Sequence, residues 1–289
     1  RIRDDGKFLP SLLFRCGGSS TFAELLGPPI SQAFLRSEGY QEISVSGFAK
    51  QGRRVILVTG RKEGSEKTEA IELVPSQAGE SFDEAHYDMV VLGGRIGEER
   101  NPEEERNALA FEGIAPVVHP LNPLEEVSSR QLLQILTGEI RSWSGLGGGA
   151  GKINLQMRDD GSGSLEILEE FAEVDQIPQP LTRHESDDQL AKAVFSDRKA
   201  FGFLPMSLAN RGETKPLRVV GSNGAAKRAT VLTVMSQDYD LVQMLYLSKP
   251  VAAKEIVKRF LAFVRSPEGA AAILGAGFVP ATYFETNSK

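Results

Sequence analysis

Short apolar runs alternate along the chain with longer segments whose apolar residues recur every three or four positions. Runs of the first kind predict strands at residues 12–16, 42–46, 54–59, 70–74, 88–92, 114–119, 153–157, 201–204 and 229–235. Segments of the second kind predict helices at residues 22–37, 128–137, 164–174, 187–196, 252–265 and 268–274. Such an alternation is typical of an α/β protein.

The clearest helix boundary lies near the C-terminal end of the chain. Ser266 is a predicted N-cap, and Pro267 then occupies the first helical position, where its missing N–H costs nothing. A second signal lies inside the first helix, where Pro28 and Pro29 lack the N–H that an interior helical residue donates. We therefore predict a break in that helix at the two prolines.

Two segments of the chain have the pattern of extended connections that link one lobe of a protein to another. Residues 114–122 are apolar and extended, with prolines that keep their neighbours out of the helical region, and residues 241–248 are a second candidate. Two crossings predict an α/β fold of two lobes joined by a hinge, with a ligand cleft between them. The first lobe would hold residues 1–115, with 246–289 returning to it, and the second would hold residues 116–245.

Composition and charge narrow the class of protein. The 289 residues are 40% hydrophobic and 25% charged, as in globular chains, and 33 basic against 39 acidic residues give a net charge of −6. Nucleic acid is therefore not an expected partner, whereas a small anion needs only a local positive potential. One cysteine and three scattered histidines predict neither an internal disulfide nor a metal site, and we expect no cofactor.

The chain also lacks the sequence signals of membrane insertion. No apolar run approaches the roughly 18–20 residues that span a bilayer. It begins at Arg1 without a signal peptide, so its start is expected to be processed or engineered. The acidic balance suits a soluble monomer.

A first candidate anion loop is Gly-Gly-Ser-Ser-Thr-Phe at residues 17–22, between a predicted strand and a predicted helix. Glycines let the backbone turn tightly and expose its N–H groups, and Ser20 and Thr21 add hydroxyl donors. The first turn of the following helix adds unpaired N–H groups and partial positive charge. The loop could equally be a plain helix N-cap. It is not the phosphate loop of nucleotide hydrolases, because no Gly-Lys-Ser/Thr follows.

A second candidate loop, Arg-Asp-Asp-Gly-Ser-Gly-Ser at residues 158–164, adds a full positive charge to the same arrangement. The planar fork of Arg158 can bind two oxygens of a tetrahedral anion. Ser162 and Ser164 offer hydroxyls, and Gly163 offers an unobstructed N–H. Asp160 would repel an anion unless it accepts a hydrogen bond from a protonated oxygen, which phosphate carries near neutral pH and sulfate does not. Alternatively, Asp160 caps the helix or pairs with Arg158.

Arg95, in the run Gly-Gly-Arg-Ile-Gly, is a third candidate, since small neighbours would let its side chain reach a cleft; a solvated surface position is the alternative. The chain has no Gly-x-Ser-x-Gly elbow, and no histidine stands beside a serine in a motif. An enzyme, such as a phosphoester hydrolase that uses Ser162 or Ser164, is therefore disfavoured.

These loops resemble those of the periplasmic phosphate-binding proteins of phosphate ABC transporters. Residues 18–22 are similar to the first anion loop of that family, and residues 158–164 match its Arg-x-Asp-Gly-Ser-Gly-Thr loop, with serine in the last place. Further similarities follow in the family's order: residues 88–95, 113–124, 136–148, 200–203 and 277–280. The likeness covers most of the chain. Residues 47–68 resemble an insertion that is present in longer members.

The resemblance implies a type II periplasmic binding-protein fold whose two lobes close on the ligand. It implies ligand contacts from one lobe by Ser20, Thr21 and the N–H of Phe22, and a match of Ser76 to the family's third loop. Contacts from the other lobe would come from the following residues: Arg158, Asp160, Ser162, Gly163 and Ser164. Arg95 matches an arginine of many members where others carry an acid.

The expected function is therefore capture of inorganic phosphate by a periplasmic solute-binding protein that delivers it to the membrane subunits of an ABC transporter, without catalysis. A sensor or cell-wall adaptor domain of a longer protein, and a binder of another tetrahedral oxyanion, are the alternatives. Because a ligand-facing arginine should not support the core, Arg158→Ala is expected to abolish binding and leave the fold intact.

Overall fold

A computed structural model describes residues 10–50, 52–76, 86–95, 108–159, 163–178, 180–221, 223–247 and 254–287. These residues divide into two units. Unit 1 comprises residues 10–76, 86–92, 247 and 254–276, and unit 2 comprises residues 93–246 and 277–287, within the described ranges. The predicted first lobe, residues 1–115 with 246–289, also contained residues 93–95, 108–115, 246 and 277–287, which here belong to unit 2. The division differs because Ala108–Val118 pairs with strands of unit 2 along its whole length.

The strands, in chain order, are β1 Ser11–Gly18, β2 Tyr40–Lys50, β3 Arg53–Lys62, β4 Thr68–Pro75, β5 Met89–Arg95, β6 Ala108–Val118, β7 Glu126–Ser128, β8 Asn154–Arg158, β9 Thr182–His184, β10 Ala200–Pro205, β11 Lys215–Pro216, β12 Arg218–Val220, β13 Ala226–Lys227, β14 Val242–Leu247 and β15 Val279–Pro280. The helices are α1 Gly27–Ser37, α2 Ser129–Leu136, α3 Gly163–Phe171, α4 Asp187–Ser196, α5 Met206–Ala209, α6 Val231–Met235, α7 Glu255–Val264, α8 Pro267–Gly275 and α9 Thr282–Asn287.

Unit 1 is built on a sheet in the order β2-β3-β4-β1-β5. β1 runs parallel to β4 and β5, while β2 and β3 form an antiparallel hairpin that joins β4. Helices α1 and α7 cover β1 through three phenylalanines: the ring of Phe260 lies 5.2 Å from those of Phe14 and Phe34. The first candidate loop leaves β1 four residues after Phe14, at Gly18.

Unit 2 contains a sheet in the order β14-β6-β10-β8-β9. β6 is antiparallel to β14 and β10, and β8 is parallel to β10 and β9. All eleven residues of β6 are buried, so this strand lies at the centre of the unit. The short strands β11 and β15 also pair with β6, and β13-β12-β7 form a smaller sheet.

Eight of the nine predicted strands are confirmed, with shifted ends, and the ninth is wrong. Residues 229–235 were expected to be extended, but Val231–Met235 is helix α6. Thr230 and Thr233 form a reciprocal capping box there, and these local hydrogen bonds start a helix in a sequence rich in β-branched residues.

The predicted break at Pro28 and Pro29 takes another form. A single π-helical segment, Phe22–Leu26, precedes α1, and the Gly27 N–H donates to the Phe22 carbonyl five residues earlier. The prolines therefore fall in the first turn of α1, where no N–H is required of them. The predicted cap at Ser266 and the helix start at Pro267 are confirmed, since the Ser266 hydroxyl accepts the Gly269 N–H at 3.1 Å.

Candidate functional site

The first half-site, residues 17–22 with Ser76, lies in unit 1 where β1 ends. Gly18 has a φ of +113°, and a Cβ at this position would lie 2.1 Å from the carbonyl oxygen of Val91. The next residue, Ser19, donates its N–H to that same oxygen at 2.6 Å. Only glycine allows this approach, which places the loop against β5.

A helical turn begins immediately after this contact. The Ser19 carbonyl accepts the Ala23 N–H at 2.8 Å, and the Ser19 hydroxyl accepts the Phe22 N–H at 3.3 Å. Ser20 and Thr21 are buried in the first turn, where N–H groups lack partners inside the helix. Ser19 therefore acts as the N-cap, and the Phe22 N–H, a predicted ligand donor, already has a long hydrogen bond.

Ser76 belongs to this half-site through strand pairing. In the parallel register of β1 and β4, Gly18 lies opposite Pro75. The Ser76 N–H then donates to the Gly18 carbonyl at 2.7 Å. Residues 58 positions apart are thus held together at the carboxyl ends of two neighbouring strands.

The second half-site, residues 158–164 with Arg95, lies in unit 2. β8 ends at Arg158, α3 begins at Gly163, and Ser164 is buried in its first turn. A Cβ on Gly163 would lie 3.1 Å from Cα of Gly93, so glycine again permits a close approach. Arg95 is the last residue of β5, two positions after Gly93. Asp160 and Ser162, both predicted site residues, lie outside the described residues.

Arg158 is 5% exposed, and its guanidinium is anchored within unit 2. Nε donates to the carbonyl of His184 at 3.1 Å, and an Nη donates to the carbonyl of Glu185 at 2.8 Å. The other Nη lies 3.0 Å from a carboxylate oxygen of Asp187, which is 1% exposed. The expectation that Arg158 does not support the core is therefore wrong, because it neutralises a buried carboxylate and ties β9 to the start of α4.

Asp187, the buried partner of Arg158, was not among the predicted site residues. Ser186 caps α4 by accepting the Gln189 N–H at 3.2 Å, so Asp187 stands at the first helical position, where negative charge is favourable. The run Ser-Asp-Asp marks a helix start, but nothing local in it points to an arginine 29 positions earlier.

A second buried carboxyl, Glu112 on β6, was also missed. The Ser207 N–H and hydroxyl donate to one carboxyl oxygen at 3.1 and 2.5 Å, and the Gln243 side-chain amide donates to the other at 3.3 Å. Complete burial raises the pKa of Glu112 to about 8, the nearby Asp187 adds to the rise, and the hydrogen bonds oppose it. The sequence signal was an acid inside the apolar run of residues 108–118.

The structure thus assembles two half-sites of the same construction, each described within its own unit. In unit 1, the parallel strand β1 turns through Gly18 and Ser19 into a helix; in unit 2, the parallel strand β8 ends at Arg158 and α3 begins at Gly163. In both, the first turn of the helix carries a buried hydroxyl. Such a turn offers oriented N–H groups and partial positive charge to an oxyanion.

Within the described part of the chain, no group of three or more histidine, cysteine, aspartate or glutamate side chains could hold a metal ion. Over those same residues, no helix is both long and apolar enough to cross a membrane.

The architecture matches solved binding proteins. The structure of a Clostridium perfringens protein assigned to phosphate ABC transport as a substrate-binding protein, with bound phosphate, superposes with a TM-score of 0.68 at 18% identity. The superposition covers 92% of this chain and 98% of that one. The fold is therefore the type II periplasmic binding-protein fold that the sequence analysis expected.

The chain belongs to the PBP superfamily, whose domain model matches residues 86–268. Phosphate-binding protein PstS of Bacillus subtilis is 26% identical over 175 residues, 60% of this chain and 57% of PstS. Protein SphX of Synechococcus elongatus is 28% identical over 184 residues, 60% of this chain and 54% of SphX. The chain spans a little more than half the length of these curated relatives. The matches confirm the resemblance inferred from the two loops.

Gly18→Ala should destabilise the chain by about 3 kcal/mol, because the new methyl group would clash with the Val91 carbonyl and the left-handed φ would strain the residue. Gly39→Ala is the matched control: Gly39 has a φ of +81° but open space around the added Cβ, so about 1 kcal/mol is expected. Urea unfolding measures both values, and equal losses would show that the contact with Val91 is unimportant.

Arg158→Ala should lower the free energy of unfolding by about 3–5 kcal/mol, since it leaves the Asp187 carboxylate buried without a counter-charge. Arg198→Ala, at an exposed position of the same unit, should change it by less than about 0.5 kcal/mol. Denaturant titration of both variants tests this, and a fully stable Arg158→Ala protein would contradict the anchoring role.

Glu112→Gln should flatten the dependence of stability on pH. Between its ordinary pKa of 4.5 and its raised pKa of about 8, Glu112 stays protonated in the folded chain but ionises in the unfolded chain. This group therefore makes stability fall as pH rises through that window, by up to about 1.4 kcal/mol per pH unit, with no further loss above it. Urea titrations across the window compare the two proteins, and identical slopes would contradict the assignment.

Proposed function

We propose that this chain is a solute-binding protein that captures inorganic phosphate. The observation that carries the proposal is the pair of half-sites, one in each unit, in which a parallel strand is followed by a helix whose first turn carries a buried hydroxyl. A family of solute-binding proteins and relatives named for phosphate binding support it.

In the proposed complex, both half-sites contribute donors to one phosphate ion. Unit 1 contributes Ser20, Thr21, Ser76 and the backbone at Phe22. Unit 2 contributes the following residues: Arg95, Arg158, Asp160, Ser162, Gly163 and Ser164. Oriented N–H groups and hydroxyls replace the water around the ion, and each charge-assisted hydrogen bond contributes about 1.5–3 kcal/mol.

Anchoring of Arg158 suits this role. Its guanidinium is held by two carbonyls and Asp187 before any ligand arrives, so binding would cost little side-chain entropy. The proposal includes a carboxylate, Asp160, that accepts a hydrogen bond from a protonated oxygen and so favours phosphate over sulfate.

The wider setting is part of the same proposal. The chain binds and releases phosphate without making or breaking a bond, acts in the periplasm, and delivers the ion to the membrane subunits of an ABC transporter. The PBP superfamily assignment supports this setting.

Isothermal titration calorimetry with phosphate, sulfate and arsenate tests the function. We expect phosphate to bind with a dissociation constant in the micromolar range or below. Sulfate should bind more weakly, because it brings no proton for Asp160. Ser164→Ala removes one buried hydroxyl of the half-site and should weaken phosphate binding about tenfold to a hundredfold.

Ser196→Ala is the matched control, because Ser196 is exposed and its hydroxyl donates within α4, to the Lys192 carbonyl at 2.8 Å. Its affinity should equal that of the unchanged protein. Absence of heat with phosphate below millimolar concentration would reject the function, and equal affinities for Ser164→Ala and Ser196→Ala would reject the second half-site.

A further inference from the structure

A buried polar pair in unit 2 connects the centre of the sheet with the start of α3. Glu112 on β6 and Gln243 on β14 face each other in the antiparallel register, and both are 0% exposed. One end of the Gln243 amide, Nε2, donates to the Glu112 carboxyl at 3.3 Å. The pair is therefore shielded from water, and its hydrogen bonds must be satisfied within the protein.

The other end of the amide meets the second half-site. Oε1 of Gln243 is buried and has no hydrogen-bond partner within the described residues. It lies 3.2 Å from the position of a Cβ on Gly163 and 3.3 Å from that of a Cβ on Gly93. An unsatisfied acceptor is thus pressed against Gly163, the first residue of α3.

The two ends of the amide have opposite chemistry. A carboxylate at Glu112 can only accept, so it requires Nε2 to face it and leaves the carbonyl end toward Gly163. A protonated Glu112 can donate its O–H to Oε1, which turns the amide over and presents Nε2 to Gly163. Ser207 donates twice to one oxygen of Glu112, so the other oxygen is the one that would carry the proton.

We propose that Gln243 is a positioning residue of the second half-site, and that the protonation state of Glu112 decides whether its amide presents a donor or an acceptor to the first turn of α3. The inference rests on the proposed function. A donor at Gly163 favours a bound oxyanion, whereas a carbonyl oxygen there opposes it. Affinity for phosphate should therefore fall as Glu112 loses its proton.

The titration of Glu112 falls in an accessible range, since burial raises its pKa to about 8. Asp187, at the start of α4, is the charged group that acts on it, and raises its pKa further. Asp188 and Lys192 of α4 are exposed, and Lys215 of β11 pairs with Glu125 at 2.9 Å.

Tyr246 of β14, the remaining titratable side chain on the strands paired with β6, lies opposite Ala108 at the far end of the strand. The pH window that the proposal invokes therefore belongs to Glu112.

Calorimetric titration with inorganic phosphate from about pH 6 to about pH 9 tests the proposal in the full chain. Glu112→Gln keeps a neutral donor beside Gln243, so its affinity should match the unchanged protein at about pH 6 and exceed it about tenfold at about pH 9. The ionisation of phosphate itself is common to both proteins and cancels in this ratio.

Gln243→Met removes both ends of the amide at similar volume. Gln243→Met should bind phosphate about tenfold more weakly than the unchanged protein at about pH 6. Its phosphate affinity should also depend on pH in the same way as that of the double variant that combines Gln243→Met with Glu112→Gln. Gln176→Met, at an exposed glutamine of the same unit, is the matched control and should behave as the unchanged protein. Equal pH profiles for the unchanged protein and Glu112→Gln would overturn the proposal.

A second measurement needs neither ligand nor variant. The side-chain ¹⁵N resonance of Gln243, assigned in the selectively labelled protein, should shift with a midpoint at about pH 8 as the amide turns over. A resonance that is constant from about pH 6 to about pH 9 would overturn the proposal, whether or not phosphate binds. Loss of phosphate binding at every pH with this shift intact would reject only the proposed function.

Discussion

The N–H groups in the first turn of a helix have no acceptor inside that helix, so the fold must either cap them or present them to a ligand. Both half-sites depend on this constraint. In unit 1 β1 runs directly into a helix, and in unit 2 α3 begins at Gly163 after β8 has ended at Arg158. In each unit a glycine lets the backbone approach another strand more closely than a side chain would allow: Gly18 against Val91, and Gly163 against Gly93. The N-terminal ends of two helices are thereby held close to β5 by backbone contacts.

Arg158, a charged side chain of the second half-site, is held in place by backbone carbonyls and a buried carboxylate. Arg158 enters from the end of β8, and the carbonyls of His184 and Glu185 hold its guanidinium in one orientation. Asp187 neutralises part of its charge in a buried setting. A cation fixed in this way would meet an anion without reorganising, which is the physical advantage of a preorganised site. The same contacts make the arginine structural, so under the proposed function one residue would serve both ligand binding and stability.

Much of the fold followed from local pattern. Apolar runs located eight strands, and the Ser266 cap with Pro267 located a helix start. Both kinds of signal arise within a few residues of the chain. Residues 229–235 show where local pattern fails. Their β-branched residues favour a strand, but the hydrogen bonds of Thr230 with Thr233 start a helix instead. Pro28 and Pro29 are tolerated because the π-helical segment Phe22–Leu26 precedes α1 and leaves both prolines in the first turn of α1.

The amino-acid sequence by itself determined the two candidate loops, since glycine, serine and arginine at a strand–helix junction have the same chemistry wherever the junction lies. Only the tertiary structure decided their partners. Strand register brings Ser76 to Gly18 and Gln243 to Glu112, and a helix start brings Asp187 to Arg158. These pairs are separated by 29 to 131 positions. Their meeting depends on which strands are neighbours and on which faces are buried, and no short segment of sequence contains that information.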